Sequence, residues 1–370
     1  MRTTRFLNPL VAIGFAAAAV CNYSTPAQAQ RVRESYKTLQ QTAAGRQNLT
    51  DFVAAIKALK LVDPNADQPA LLGYNDFVRM HSSAPAPPPQ GYTAYAHMLP
   101  TFLAWHRIFL LRFEDALRTV NPNVTVPYWD WTADPFPSDI TTGDNMLMGP
   151  NGSGTTHVVQ SGPFSPGAGW VCYRAAGISN ASWLGSDLQR NFGADGITLP
   201  STADVDSALS VISFDIKPWD RNSVPENSFR NTLEGWEPDP PRLHNRVHVY
   251  IGGQMKTVPQ AINDPVFWMH HANIDRVWCK WQKMHDAEFH HLPRGGVNDP
   301  HPKTCLKPGF CAFDPMPPFT TNGELPPQEM PFDAINMMAY NYEYDDCQGA
   351  CRNGDFGGQT TSQILLSQEV

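Results

Sequence analysis

His244 and His248 stand four residues apart just after the Pro240-Pro241 pair. On a helix that spacing puts both imidazoles on one face a turn apart, where two neutral rings can grip one metal ion. Two hydrogen-bonded core histidines would look the same, so the pair alone decides little. A zinc protease needs a Glu directly after the first His as its general base. Asn245 is there instead, which excludes that motif. The stretch around the pair, residues 243–282, reads LHNRVHVYIGGQMKTVPQAINDPVFWMHHANIDRVWCKWQ. Gly252-Gly253 marks a turn, and Asn263-Asp264-Pro265 starts a second helix with Asp264 as N-cap and Pro265 at the first helical position. His270 and His271 then lie about a turn and a half into that helix.

The first half carries its own set: His81, His97 sixteen residues on and His106 nine further. Three imidazoles per ion, with no carboxylate or thiolate, suit copper or less specifically zinc. The elements that would carry them are helical. Residues 32–60 show apolar positions at helical spacing in Leu49, Phe52, Val53, Ile56 and Leu59. A second helix runs from about Pro69 to His81, ended by Ser-Ser-Ala-Pro and the triple proline at 87–89. A third covers residues 101–120 and contains His106. Residues 127–131, PYWDW, read as an aromatic packing element in which Asp130 caps or pairs. Residues 132–229 are rich in Gly, Ser, Pro, Asn and Asp and read as ordered loops, with a short strand at 210–214.

With 370 residues, 42% hydrophobic and 11% aromatic, the chain can bury a sizeable core; 34 Pro and 26 Gly make much of the rest loop. The expected class is mainly α, a helical core wrapped by long loops with few short strands. The net charge of -8 and the lack of a basic run exclude nucleic acid and an anionic membrane surface as partners. Residues 1–29 have the layout of an export signal: Arg2 and Arg5, an apolar run over 11–20 and a small-residue site at Ala27-Gln28-Ala29. The expected location is therefore secreted or periplasmic. Six cysteines follow that segment, and the close pairs Cys305 with Cys311 and Cys347 with Cys351 are the expected bridges. Cys279 reads equally as a buried free thiol. His285, His290, His291 and His301 read as exposed, with an accessory metal site as the alternative; His157 has no marking context.

Taken together, His81, His97, His106 in HMLPTFLAWHRIFLLRFE, then PYWDW, LEGW, LHNRVH, NDPVFWMHHANIDRVW and a terminal YEYD resemble the tyrosinase family of type-3 copper proteins, over residues 32–345. The resemblance implies an antiparallel four-helix bundle carrying two copper ions, in a catalytic domain of residues 30–345 followed by a short tail, 346–370. His81, His97 and His106 would hold one ion, and His244, His248 and His271 the other. The family pattern takes the second His of the 270–271 pair; His270 is then a hydrogen-bonded supporting residue. His271 shares its helix face with Phe267 and with Asp275, a further supporting residue. Tyr95 stands where many members carry a thioether cysteine, which is similar to the bacterial type. Some 25 residues after Asp345 are too few for the shielding domain that many members carry.

The implied activity is ortho-hydroxylation of monophenols and oxidation of o-diphenols to o-quinones with O2. A phenol near pKa 10 needs a base to lose its proton, and the resemblance assigns Glu234 and Asn245 to hold a water that takes it. Phe267 is expected to stack over the site, with Val249 and Val258 lining the entrance. An apolar Val249 offers a substrate carboxylate no cation, so simple phenols should do at least as well as tyrosine. The partners are phenolic small molecules and O2, with a copper-loading chaperone as a further one the resemblance admits; the oligomeric state stays open. A catechol oxidase acting only on o-diphenols and a haemocyanin-like O2 carrier remain alternatives.

Overall fold

Two long helices form where the apolar spacing is densest, Phe102–Val120 and Val266–Met284. The computed structural model describes residues 30–62, 72–84, 96–138, 146–175, 178–236, 241–285, 311–312, 316, 330–335 and 337–348. In chain order its helices are α1 (Tyr36–Gln40), α2 (Ala43–Lys60), α3 (Tyr74–Ser83), α4 (Phe102–Val120), α5 (Thr202–Leu209), α6 (Phe229–Glu234), α7 (Leu243–Ile251) and α8 (Val266–Met284), with short 3-10 turns between them. Strands β1 (Arg31–Arg33) and β2 (Tyr342–Tyr344) pair in parallel, Val32 opposite Glu343. The export signal, Cys305, Cys351 and His290, His291 and His301 lie outside the described residues. No helix among the described residues is long and apolar enough to cross a membrane.

Helices α3, α4, α7 and α8 make an antiparallel bundle, as the order of their ring contacts shows. Along α4 and α8, Phe113 stacks on Trp268 at 3.6 Å, His106 meets His271 at 4.5 Å, and Arg107 reaches Asp275 at 2.6 Å. Later residues of one helix thus meet earlier residues of the other. Likewise Phe77 on α3 lies against Phe113 and His81 against His106 on α4. On α7, His244 faces His270 and His271, while His248 reaches back to Phe267 of α8. Both α4 and α8 are buried on nearly every face, because α2 and the loops cover what the bundle leaves.

The floor of the bundle is a buried ion network. Asp275 accepts from Arg107 at 2.6 Å, Arg33 at 3.3 Å, and the hydroxyls of Tyr342 and Tyr344 at 2.8 Å each. Glu114 takes Arg33 at 3.0 Å. This network ties β1, α4, α8 and β2 together, and removing one member of such a buried pair costs about 3–5 kcal/mol. Asp275 therefore serves the helix ends; its oxygens go to these four partners and not to a histidine.

Several expectations are corrected. The 32–60 segment splits, because Thr42 breaks it by capping α2 with its hydroxyl on the Gly45 N–H at 3.0 Å. Residues 210–214 form no strand. Val211 is instead pinned by its carbonyl to the Trp281 indole N–H at 2.6 Å, just after α5, whose capping box pairs Ser201 with Asp204. Helix α8 begins one residue later than expected, with Pro265 as cap. Asp264 still accepts the Val266 N–H at 3.2 Å, but its carboxylate is gripped by Arg190 at 2.7 Å on both oxygens. Cys347 bonds to Cys279, not to Cys351, across 68 residues, so the buried free thiol is Cys172 and not Cys279. Cys311 is in a disulfide, and its expected partner Cys305 lies outside the described residues. Sequence spacing favoured the near pair, but β2 brings Cys347 against α8.

Candidate metal centre

His81 sits two residues before the end of α3, His97 in the turn before α4, and His106 in its second turn. Their ring centroids are 5.0, 5.0 and 5.9 Å apart. His244 and His248 project from one face of α7, and His271 from α8 meets both at 4.9 and 5.7 Å. All six are buried or nearly so, and their ligand atoms converge in two groups, His81–His97–His106 and His244–His248–His270–His271. The stacked pair His106 and His271 joins the groups at 4.5 Å.

The tautomers follow from backbone carbonyls. Nδ1 of His106 donates to Phe102 at 2.9 Å, of His248 to Met255 at 2.7 Å, of His97 to Ala84 at 3.3 Å, and of His244 to Glu234 at 3.3 Å. With Nδ1 protonated, Nε2 carries the lone pair. The Nε2 atoms of His244 and His248 nevertheless face each other at 3.0 Å; Nε2 of His271, whose Nδ1 has no carbonyl to fix its tautomer, lies 3.3 Å from that of His244. Lone pairs aimed at one another repel unless a cation lies between them. That separation suits two nitrogen ligands each about 2 Å from one ion. Among the described residues, Nε2 of His106 has no hydrogen-bond partner and the ring nitrogens of His81 have none in good geometry, only the Val258 backbone nearby; inside a protein that is costly, and a metal would relieve it.

Burial keeps these rings neutral, the form that binds metal. It lowers His97 and His248 to about 4 and His81, His106, His244 and His271 well below the ordinary value, neighbouring imidazoles adding to the effect in those four.

His270 differs from its expected role. Among the described residues neither ring nitrogen meets a partner in good hydrogen-bond geometry, although the His244 backbone lies close enough to act on it, and the ring stacks on His244 at 5.2 Å, with Trp131 at 6.4 Å beyond. Its recorded ring contacts are with His244, His248, His271 and Trp131, whereas His271 also stacks on His106 of the first group. His285 bonds the Leu209 carbonyl at 2.8 Å and leans on Trp281, a packing role. His157 is half-buried in a left-handed turn away from the centre.

A cavity of about 340 Å³ opens over the histidines, lined by His81, His97, His244 and His248 beneath a largely apolar wall that includes Trp236, Val249, Met255 and Val258. Val249 and Val258 thus lie where expected. Phe267 does not line it: buried, it stacks on His271 at 4.0 Å and packs edge-on to His81 at 5.1 Å, a spacer between the two groups.

The two polar candidates separate. Asn245 is on the cavity wall, its Oδ1 accepting from Nδ1 of His244 at 3.0 Å. Glu234 is fully buried behind Gly235 and Trp236. Its Oε1 accepts the Met98 N–H at 2.5 Å and the Trp236 indole N–H at 2.6 Å, and its Oε2 accepts Arg230 at 3.0 Å. Burial pushes its pKa up to about 7 against the pull of Arg230. Gly235 makes the turn at φ 85, where a Cβ would strike the Arg242 carbonyl at 2.1 Å. Met98, Arg230 and Trp236 had no place in the sequence reading, though Trp236 is part of the LEGW motif.

A family model described as the common central domain of tyrosinase matches residues 72–284, which contain all seven histidines of the two groups. The chain belongs to the tyrosinase family. Among tyrosinase relatives, that of Streptomyces antibioticus is 40% identical over 248 residues, 66% of this chain and 82% of its own length. Grixazone synthase of Streptomyces griseus is 36% identical over 61% of this chain and 80% of its own. The solved tyrosinase of Burkholderia thailandensis shares the fold, with a TM-score of 0.54 at 18% identity over 89% of this chain and 76% of that one. An octopus hemocyanin unit does so too, with a TM-score of 0.51 at 21% identity over 91% and 72%. The tyrosinase family's binuclear copper centre has its counterpart here in the two buried histidine groups.

Proposed function

We propose that this chain is a tyrosinase that ortho-hydroxylates monophenols and oxidises o-diphenols to o-quinones with O2. The observation that carries this is the convergence of two buried, neutral imidazole groups beneath a ring-sized apolar cavity. Of the second group, His271 fits the ligand role better than His270, because its Nε2 faces His244 and its ring abuts His106. The two coppers supply, when bound, the binding and reduction of O2.

The protein positions the substrate and handles its proton. Val249, Val258 and Trp236 offer apolar surface to a phenol ring and exclude water from one side. Asn245, its oxygen held by His244, has its amide N–H groups available to a water at the wall. Glu234 Oε2 has a single donor, Arg230, and so capacity for another hydrogen bond, and a carboxylate near pKa 7 is matched to taking a phenol's proton at neutral pH. The pair then acts as a proton relay from the cavity to Glu234. Export through the N-terminal segment is part of the same proposal.

Oxygen uptake by the copper-loaded protein on 4-methylphenol and 4-methylcatechol tests it, and both should be oxidised. Turnover of the catechol alone would make the protein a catechol oxidase. Reversible O2 binding without turnover of either would make it a carrier.

A further inference from the structure

Among the described residues, the wall of the cavity holds one formally charged side chain, Lys256, and no carboxylate. Lys256 is the last residue of the 3-10 turn Gly253–Lys256 and is exposed at the cavity rim. No hydrogen bond or ion pair occupies its ammonium among the described residues. The two arginines next to wall residues in the chain, Arg242 beside Pro241 and Arg246 beside Asn245, are by contrast paired, with Glu226 at 3.2 Å and with Asp204 at 3.7 Å.

The turn that carries Lys256 is fixed from below. Its Gln254 is buried and bonded on both ends of its amide, donating to the Asp187 carbonyl at 2.9 Å and accepting the Gln189 N–H at 2.8 Å. Met255, the next residue, contributes its carbonyl to Nδ1 of His248 at 2.7 Å and its side chain to the wall. The backbone of Lys256 is therefore held one residue from a carbonyl that orients a metal-binding histidine. Its long side chain stays free to sweep the rim. A substrate whose ring sits over the histidines, between Val249 and Val258, would present its para substituent outward to that rim.

We infer that Lys256 is a specificity determinant that favours phenols bearing a carboxylate on the para side chain over uncharged phenols, and both over phenols bearing an ammonium. This rests on the phenol-oxidase reading and deepens it, and it revises the expectation drawn from Val249 alone: the cation is supplied seven residues further on. An exposed ion pair of this kind contributes modestly, so the effect on KM is about two- to fivefold per unit of charge and shrinks with salt.

The test is steady-state kinetics of the copper-loaded protein on 4-methylphenol, 3-(4-hydroxyphenyl)propionate and tyramine, for wild type, Lys256→Met and Lys256→Glu. The readout is the KM of each charged substrate relative to that of 4-methylphenol. In Lys256→Met the ratio for the propionate should rise about two- to fivefold and that for tyramine should fall; in Lys256→Glu both changes should roughly double on a logarithmic scale. In the wild type, raising salt from 0.05 to about 0.5 M should move the ratios the same way as Lys256→Met, a measurement that needs no variant. Ratios that stay constant across the three proteins and across salt overturn the role of Lys256 while leaving phenol oxidation intact. Failure of the wild type to oxidise 4-methylphenol at all would instead strike the proposed function itself.

Discussion

Glu234 Oε1 accepts the backbone N–H of Met98 at 2.5 Å, which ties a carboxylate at the end of α6 to the residue after His97. Met98 is in the left-handed region at φ 63, a conformation a non-glycine residue holds only when its surroundings impose it. The backbone carbonyl of the same Glu234 accepts from Nδ1 of His244. One residue thus touches both groups, through its backbone at His244, which a substitution leaves in place, and through its carboxylate at Met98 beside His97, so its replacement tests more than the proton relay.

Asn245→Ala and Glu234→Gln should therefore behave differently. Asn245→Ala should slow phenol hydroxylation about a hundredfold or more relative to catechol oxidation, with copper content unchanged. Glu234→Gln should lose that selectivity too, but also about 3–5 kcal/mol of stability, since it leaves buried Arg230 with only Asp215 as ionic partner, and some copper with it. Rates on a matched phenol and catechol, metal analysis and urea unfolding separate the two. Equal loss on both substrates in Asn245→Ala would leave Asn245 with a structural role only.

His106→Ala and His248→Ala remove one ligand from different groups. Each should reduce copper from two ions per chain to one and abolish oxidation of phenol and catechol alike. Metal analysis after dialysis checks it, and two retained coppers in either variant would break the assignment of the triads.

Acid should destabilise the metal-free protein through these same rings. Burial depresses His97 and His248 to about 4, against an ordinary value of 6.5 that they regain on unfolding. Between those values the unfolded chain binds more protons than the folded one. The stability contributed by their neutral forms is complete above about pH 6.5 and is lost as pH falls towards 4. The melting temperature of metal-free protein should fall steadily from pH 7 to 4.5, while copper-loaded protein resists further because protons must also displace the metal. Identical profiles with and without copper would contradict the picture.

The Cys279–Cys347 bridge fastens α8 to the segment after β2. Closing a loop of this length restricts the unfolded chain, so replacing both cysteines by serine should cost about 2–4 kcal/mol in urea unfolding. His271, the one proposed ligand on α8, lies in the other half of that helix from Cys279, and copper binding at low urea should persist. Loss of both together would show that the bridge sets the position of His271.

The histidine spacing on α7 and the position of His106 on a long apolar helix were legible because helix periodicity is local: side chains four apart share a face wherever the helix ends up. The two groups could therefore be read from residues 81–106 and 243–282, while the bundle came with the family resemblance, which PYWDW, LEGW and YEYD helped to carry. Other features depended on partners far away in sequence. The bridge from Cys279 to Cys347 rather than to a near neighbour, the pinning of residue 211 by Trp281, and the splitting of the Glu234–Asn245 pair by the Gly235 turn are of that kind. So is the placement of Lys256 at the rim, where the sequence offered Val249 and Val258. Sequence determined which residues carry metal chemistry, since that is a matter of residue type and local geometry. Tertiary structure alone decided which groups face the cavity and which are consumed inside the core, because burial and hydrogen-bond competition are settled only when distant segments pack.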